Sequence, residues 1–363
     1  MVKKDYVGIG IIGAGFARTT QIPAFRACAG ARVVAIASAH RENAEAVARE
    51  FEIPFVGETW REVVAHEDVD LVSVVTPPVT HLEMTLAALD AGKSVLCEKP
   101  MAINALQCEV MREAASLSGA LAHLDHELRF LPGRRRMREM IRHGEIGRVR
   151  HARFTFASDG RASAERAWDW WSDAGAGGGV LGAIGSHAVD SFLWLLDAEI
   201  REVFGSLATH VAARPDSETG ELIRVTTDDE ANMLVRFADT ETTQDATGSL
   251  LLSVVEPGRY EHRVEIFGER GALRVEDGGA LWHAPLGAGE WQKVEVERAG
   301  LAAGLKDSGW SRGFTEFARE IVAALREGRT HVPEAATFTD GFRIQKVLDA
   351  ARQSHESGCR VTV

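Results

Sequence analysis

The feature that most restricts this chain is its N-terminal run, Val7 to Ile12, closed by Gly13-Ala14-Gly15 and followed by a helical stretch through Arg26. A short apolar run stopped by G-x-G and leading into a helix spells a buried strand, a tight turn and a helix start. Gly13 permits the turn. Gly15 lets backbone amides approach a pyrophosphate at the positive end of the helix dipole, with Phe16, Ala17 and Arg18 completing the cradle. The third glycine of a G-x-G-x-x-G pattern would fall on Arg18; the small Ala17 beside it keeps close helix-strand packing available.

The same grammar repeats downstream. Apolar strands are read at residues 33–37, 69–76 and 94–98, alternating with helices at 41–51, 82–91 and 104–118. Strands apolar on both faces and separated by helices predict a doubly wound parallel sheet, an α/β Rossmann domain over residues 1–122. After about residue 123 the strands alternate polar and apolar residues, as at 151–157, 203–208, 231–237, 248–255, 262–267 and 271–275. This predicts an α+β domain over 123–363 with a mostly antiparallel open sheet. Helices at 133–143 and 186–196 are expected to cover it, with closing helices at 314–326 and 341–354, the last able to pack back on the first domain. At ~150 residues per domain, 363 residues suit this two-domain division.

The end of the second strand reads on cofactor choice. A carboxylate there would chelate the adenine ribose hydroxyls and repel a 2′-phosphate. The chain instead offers Ser38, which can donate to a phosphate oxygen, and Arg41, which can pair with one. NADP(H) is therefore expected over NAD(H). Two further strand ends, Thr76-Pro77-Pro78-Val79-Thr80-His81 and Cys97-Glu98-Lys99-Pro100, fall at the carboxyl edge of a parallel sheet, where such folds bind ligands. Far downstream, the glycine-rich stretch from Gly177 to Gly185 runs into Ser186-His187, with Asp190 on the same helix face as His187.

Together these motifs resemble the Gfo/Idh/MocA family, the glucose-fructose oxidoreductase and inositol dehydrogenase group, over essentially the whole chain. The resemblance implies an NAD(P)-dependent oxidoreductase acting on CH–OH groups of a sugar, cyclitol or related polyol. It places acid-base chemistry on Lys99 and His187, puts Glu98 near the nicotinamide amide and makes the peptide before Pro100 often cis. Thr76, Pro77 and His81 would line the cofactor. Arg129, Trp168, Trp170, Trp171 and Asp190 would face the substrate, since aromatic rings pack on the C–H faces of sugars. The family's usual aspartate four residues before the histidine is Ala183 here, and its usual arginine near the tryptophans is Trp171. The second domain's open sheet would serve a homodimer or homotetramer.

Two other readings stay open: a glycosidase that retains NAD and acts by transient oxidation, and a redox-silent cofactor-binding sensor. Composition trims the field further. With 41 basic and 53 acidic residues, the net charge of −12 repels nucleic acid and anionic membranes. The basic run Arg134–Arg138 reads as the solvated face of a helix. Four scattered cysteines with no C-x-x-C pair argue against a zinc site or a disulfide framework, and favour a reducing cytoplasm. No metal is expected. No stretch reaches the ~18 apolar residues of a membrane span. Lys3-Lys4 before the apolar run imitates a signal peptide, but the fold needs those residues as its first strand.

Overall fold

Val7–Ile12 forms β1, buried along its whole length, as a strand covered on both faces must be. The computed structural model describes residues 4–363. The chain divides into two compact units, one made of the residues up to Leu131 with Ala299–Phe342, the other of Pro132–Arg298 with Arg343–Val363. The division differs from a cut at residue 122, because a late segment completes the first unit.

In the first unit, β1 is joined by β2 (Ala31–Ala37), β3 (Phe55–Val56), β4 (Leu71–Val74), β5 (Ser94–Cys97) and β6 (Ala122–Leu124). Their spatial order is β6-β5-β4-β1-β2-β3, all parallel, with the short strand Ala336–Thr337 antiparallel on β6. This is the doubly wound order, and its reversal between β1 and β4 opens a crevice at the carboxyl ends. Helices Arg41–Phe51, His81–Asp90 and Ala105–Ser118 connect the strands. The last of these starts where the Asn104 side chain accepts a hydrogen bond from the Gln107 amide, 2.9 Å.

The late segment belongs here for a physical reason. Helix Gly309–Arg326, capped by the Ser308 side chain, turns Phe314, Phe317, Ile321 and Val322 into the same buried core as Phe25 and Phe130. Phe317 stacks on Phe130 at 4.3 Å, and Phe314 meets Phe25 edge-on at 5.5 Å. A separate buried cluster, with Val72, Val95 and Met111, covers the other sheet face.

The second unit is built on a larger sheet. Its strands are β7 (Val149–Ala157), β8 (Ile200–Ala208), β11 (Glu230–Phe237), β12 (Thr243–Ser253), β13 (Glu261–Gly268), β14 (Gly271–Glu276), β15 (Leu281–Pro285) and β16 (Gln292–Val294). They run in the order β16-β15-β14-β13-β7-β12-β11-β8, closed at the β8 edge by Val361–Thr362. Only the β7–β12 pair is parallel; the rest are antiparallel. The strands β9 (Ala213–Pro215) and β10 (Leu222–Arg224) make a separate ribbon.

Helix Ser186–Leu196 is buried at every position and sets Phe192 against Phe237 at 5.6 Å. Helix Pro132–Arg142 packs on it, which corrects the expectation for the basic run. Arg134 is buried and donates to Ser191 Oγ at 2.6 Å, and the Arg138 guanidinium lies 4.8 Å from the Trp194 ring centre. Four residues apart on a helix, these two arginines share the covered face; Arg136 points outward to Glu139 and Glu145.

Candidate functional site

The ladder of the first sheet sets four strand ends side by side. Gly13 N–H donates to Ala37 O (2.8 Å), Val75 N–H to Ile12 O (2.7 Å), Glu98 N–H to Val74 O (3.0 Å) and Asp125 N–H to Cys97 O (2.8 Å). Gly13, Thr76, Glu98 and Asp125 therefore emerge at one carboxyl edge.

Gly13 has φ +107°, and a Cβ there would stand 2.0 Å from the Val75 carbonyl oxygen, so the turn admits glycine alone. A Cβ on Gly15 would meet nothing within 4 Å, which leaves the backbone open on the side an anion needs. Ala17 is fully buried against the sheet and opens a π-helical turn, Ala17–Gln21, that continues as helix Ile22–Arg26. The first N–H groups of such a helix lack intrahelical partners, and Phe16, at its start, is 39% exposed. The turn fits a dinucleotide's pyrophosphate. Arg18 points elsewhere, pairing with Glu50 at 2.7 Å. At the end of β2, Ser38 is half-buried, and Arg41 is held by Glu45 (2.8 Å) and Glu58.

Two residues expected to touch ligands are engaged otherwise. His81 has no exposed surface; its Nε2 lies 2.8 Å from the Thr76 carbonyl, and its Nδ1 3.1 Å from that of Pro100 and 3.3 Å from that of Met101. It ties the Thr76-Pro77-Pro78 turn to the Lys99-Pro100 turn, and burial pushes its pKa down. Thr80 Oγ1 braces the same loop by donating to Thr76 Oγ1 at 2.7 Å and Pro77 O at 2.8 Å. Arg129 is buried as well, beside Asp340 (3.6 Å) and donating to the Glu334 carbonyl (3.3 Å), so its charge fastens the late segment to the first unit.

The peptide between Lys99 and Pro100 is cis. Lys99 follows Glu98, whose carboxylate accepts the Lys99 backbone N–H at 3.2 Å and a Gln21 Nε2–H at 2.9 Å. The same Gln21 nitrogen donates to Asp125 Oδ2 at 3.0 Å, and Ser73 Oγ donates to Gln21 Oε1 at 2.6 Å. Burial pushes both acids upward, Glu98 against the opposing pull of Lys99 and Asp125 well beyond the usual carboxylate range. Sequence reading missed Gln21, Ser73 and Asp125. Asp125 carries a usable signal, a carboxylate closing an apolar strand at the carboxyl edge.

In the second unit His187 stands at the start of its helix, 1% exposed, with Asp190 one turn on at 3%. Ser191 Oγ donates to the His187 carbonyl at 2.7 Å. The loop before them is fixed by Asp228, also missed: its Oδ2 accepts the Leu181 N–H at 2.6 Å and its carbonyl the Val180 N–H at 3.0 Å. Gly179, at φ +98°, leaves room for that carboxylate, since a Cβ would lie 2.5 Å from its Oδ1. Trp168 is held through its indole N–H to the Arg224 carbonyl (3.3 Å), Trp170 is 38% exposed, and the Arg161 guanidinium lies 4.6 Å from the Trp171 ring centre. Among the described residues no group of three or more His, Cys, Asp or Glu side chains is placed to hold a metal, and no helix is long and apolar enough to cross a membrane.

Comparison with known proteins agrees with this arrangement. The profile for the oxidoreductase family with NAD-binding Rossmann fold matches residues 7–126, and that of the GFO/IDH/MocA C-terminal domain matches residues 134–274. A Xenopus laevis protein named glucose-fructose oxidoreductase domain-containing protein 2 is 31% identical, over 97% of this chain and 92% of its own. Levoglucosan dehydrogenase of Pseudarthrobacter phenanthrenivorans is 27% identical, covering 96% of each. A levoglucosan dehydrogenase solved with NADH and L-sorbose superposes with a TM-score of 0.86 at 26% identity over 99% of both chains. An oxidoreductase domain protein from Kribbella flavida gives 0.86 at 29% identity, with the same coverage. The chain belongs to the GFO/IDH/MocA family of oxidoreductases, with an NAD-binding Rossmann domain at its N-terminus.

Proposed function

We propose that the protein transfers hydride between a nicotinamide cofactor and a carbinol carbon, or the matching carbonyl, of a sugar, cyclitol or related polyol. The observation that carries this reading is Lys99, set directly after a buried glutamate at the same carboxyl edge of a Rossmann sheet as a glycine turn open to a pyrophosphate. A relative of similar fold was solved with NADH and levoglucosan.

The bound cofactor supplies the hydride acceptor or donor. This chain supplies the rest. As a carbinol is oxidised its hydroxyl proton must leave, and Lys99 and His187 are the groups to which that acid-base work is assigned. In the reductive direction the two give the proton back. Glu98 orients the Lys99 turn. Trp168, Trp170 and Trp171 offer faces to a sugar ring, and Asp190 accepts from its hydroxyls. Ala183 in place of the usual aspartate leaves the proton work to Lys99 and His187. Cofactor preference is for NADP(H), because the end of β2 carries Ser38 and Arg41 and no carboxylate before Glu42. Subunits associate through the open sheet, whose Phe204, Leu234 and Leu251 are exposed apolar side chains, and a cytoplasmic setting suits four cysteines that form no disulfide.

The test is Lys99→Ala, read by turnover and by nicotinamide fluorescence titration. Turnover is expected to fall at least ~100-fold, the scale of a lost acid-base group, with cofactor affinity within a fewfold. Loss of cofactor binding instead would move Lys99 to a binding role. Cofactor retained through purification, with no net turnover, would favour the transient-oxidation glycosidase.

A further inference from the structure

The chemistry above uses Lys99 and gives the acids beside it no task beyond holding a turn. Glu98 and Asp125 follow neighbouring parallel strands and are both buried, at 7% and 1% exposure. A single amide nitrogen, Gln21 Nε2, donates to one oxygen of each, and Ser73 holds that amide in its orientation. A primary amide has two N–H donors, so this one is fully spent on the pair. Bonded to the same nitrogen, one oxygen of each carboxyl is held close to the other. Asp125 Oδ1 is buried, and among the described residues no N–H or hydroxyl reaches it. The donor left is a proton carried by the pair itself. Like charges this close and shielded from water do not both ionise.

The charged groups facing the pair are few. Lys99 attracts it, and Glu127 adds negative charge on the Asp125 side. The Cys97 thiol is kept protonated by burial and brings no charge. Two ionised carboxylates beside Lys99 would clamp its ammonium away from substrate; none would leave it unoriented.

We propose that Glu98 and Asp125 share one proton, present a single negative charge to Lys99, and make Asp125 a positioning residue that acts on Lys99 through Glu98. The inference rests on the assignment of Lys99 to the chemistry, and the two are tested separately. Infrared difference spectroscopy reads the protonated-carboxyl C=O stretch without turnover. At pH 7, with folding checked by thermal melting, the wild-type spectrum carries this band and Asp125→Asn loses it. Glu98→Gln removes the same band from the other side and serves if the first variant folds poorly. A wild-type spectrum from which neither variant removes a band overturns the shared proton.

In turnover, Asp125→Asn lowers kcat about tenfold at neutral pH, the effect of one pKa unit. It keeps cofactor affinity within about threefold, and its kcat-against-pH curve loses one ionisation. A curve merely scaled down and unchanged in shape leaves Asp125 a packing role and overturns the proposal. If Lys99→Ala keeps its turnover while the band is present, the Lys99 assignment falls and the shared proton stands.

Discussion

Arg41 is caught between Glu45 on its own helix and Glu58 beyond β3, so an anion arriving at the end of β2 competes with ion pairs already made. Exposed pairs of this kind are weak, screened by solvent and salt. A doubly charged 2′-phosphate offers more acceptor oxygens than either carboxylate and competes for the guanidinium. Arg41→Ala is therefore expected to weaken NADPH binding about tenfold, and NADH binding far less. Fluorescence titration of both cofactors checks this, and equal weakening would remove the NADP reading. Arg18 has a different position. It is spent on Glu50 and exposed, and the packing expected of a third glycine falls to Ala17 beside it. His81 shows how a motif residue can serve a site from behind, its ring reaching the carbonyls of two separate turns while exposing nothing.

At the scale of elements, β6 shows what joins the late segment to the first sheet. His123 Nδ1–H donates to the Ala336 carbonyl at 3.1 Å, and Nε2 accepts the Val332 N–H at 3.0 Å, a pattern only the neutral ring can make. Burial holds its pKa down at about 4, below the ~6.5 of an unfolded chain. Between those values the unfolded state binds a proton that the folded state refuses, so stability falls with pH. The slope from this one group is roughly 1.4 kcal/mol per pH unit below about 6.5, ending near 4, with nothing lost above. Denaturant unfolding at pH 7.5, 6 and 5 should show the decline, and His123→Gln should flatten it; an unchanged slope would place the acid sensitivity elsewhere. Elements were legible wherever a pattern ran long enough to repeat. β1, helix Arg41–Phe51 and helix Ser186–Leu196 begin and end where the sequence places them. The strands Phe55–Val56, Ala122–Leu124 and Gln292–Val294 were not read, because two or three residues make no period. The glycine turn and Glu98-Lys99-Pro100 were legible as local motifs. Gln21 was not, since its meaning lies in a contact across 104 positions.

For the whole molecule, the second sheet, through which subunit association is proposed, presents an exposed apolar patch. Phe204 and Leu234 are direct cross-strand partners on β8 and β11, 42% and 60% exposed, and a neighbouring apolar residue, Leu251, stands on β12. Leu234→Asp puts a charge in the middle of that patch. Light scattering on the purified variant should show smaller particles than the wild type, with thermal stability of the subunit little changed; an unchanged mass would place the subunit contact elsewhere. Nothing local in the sequence announced that residues 299–342 complete the first unit, since an apolar helix face does not name its partner. That belated completion matters while the protein is being made. Phe130 leaves the ribosome long before Phe317, and at about 5–20 residues per second the wait is some tens of seconds. Through that interval the nucleotide-binding half is an unfinished body with an open greasy seam, and the second half is translated while it waits. Its maturation thus waits on the synthesis of residues 299–342.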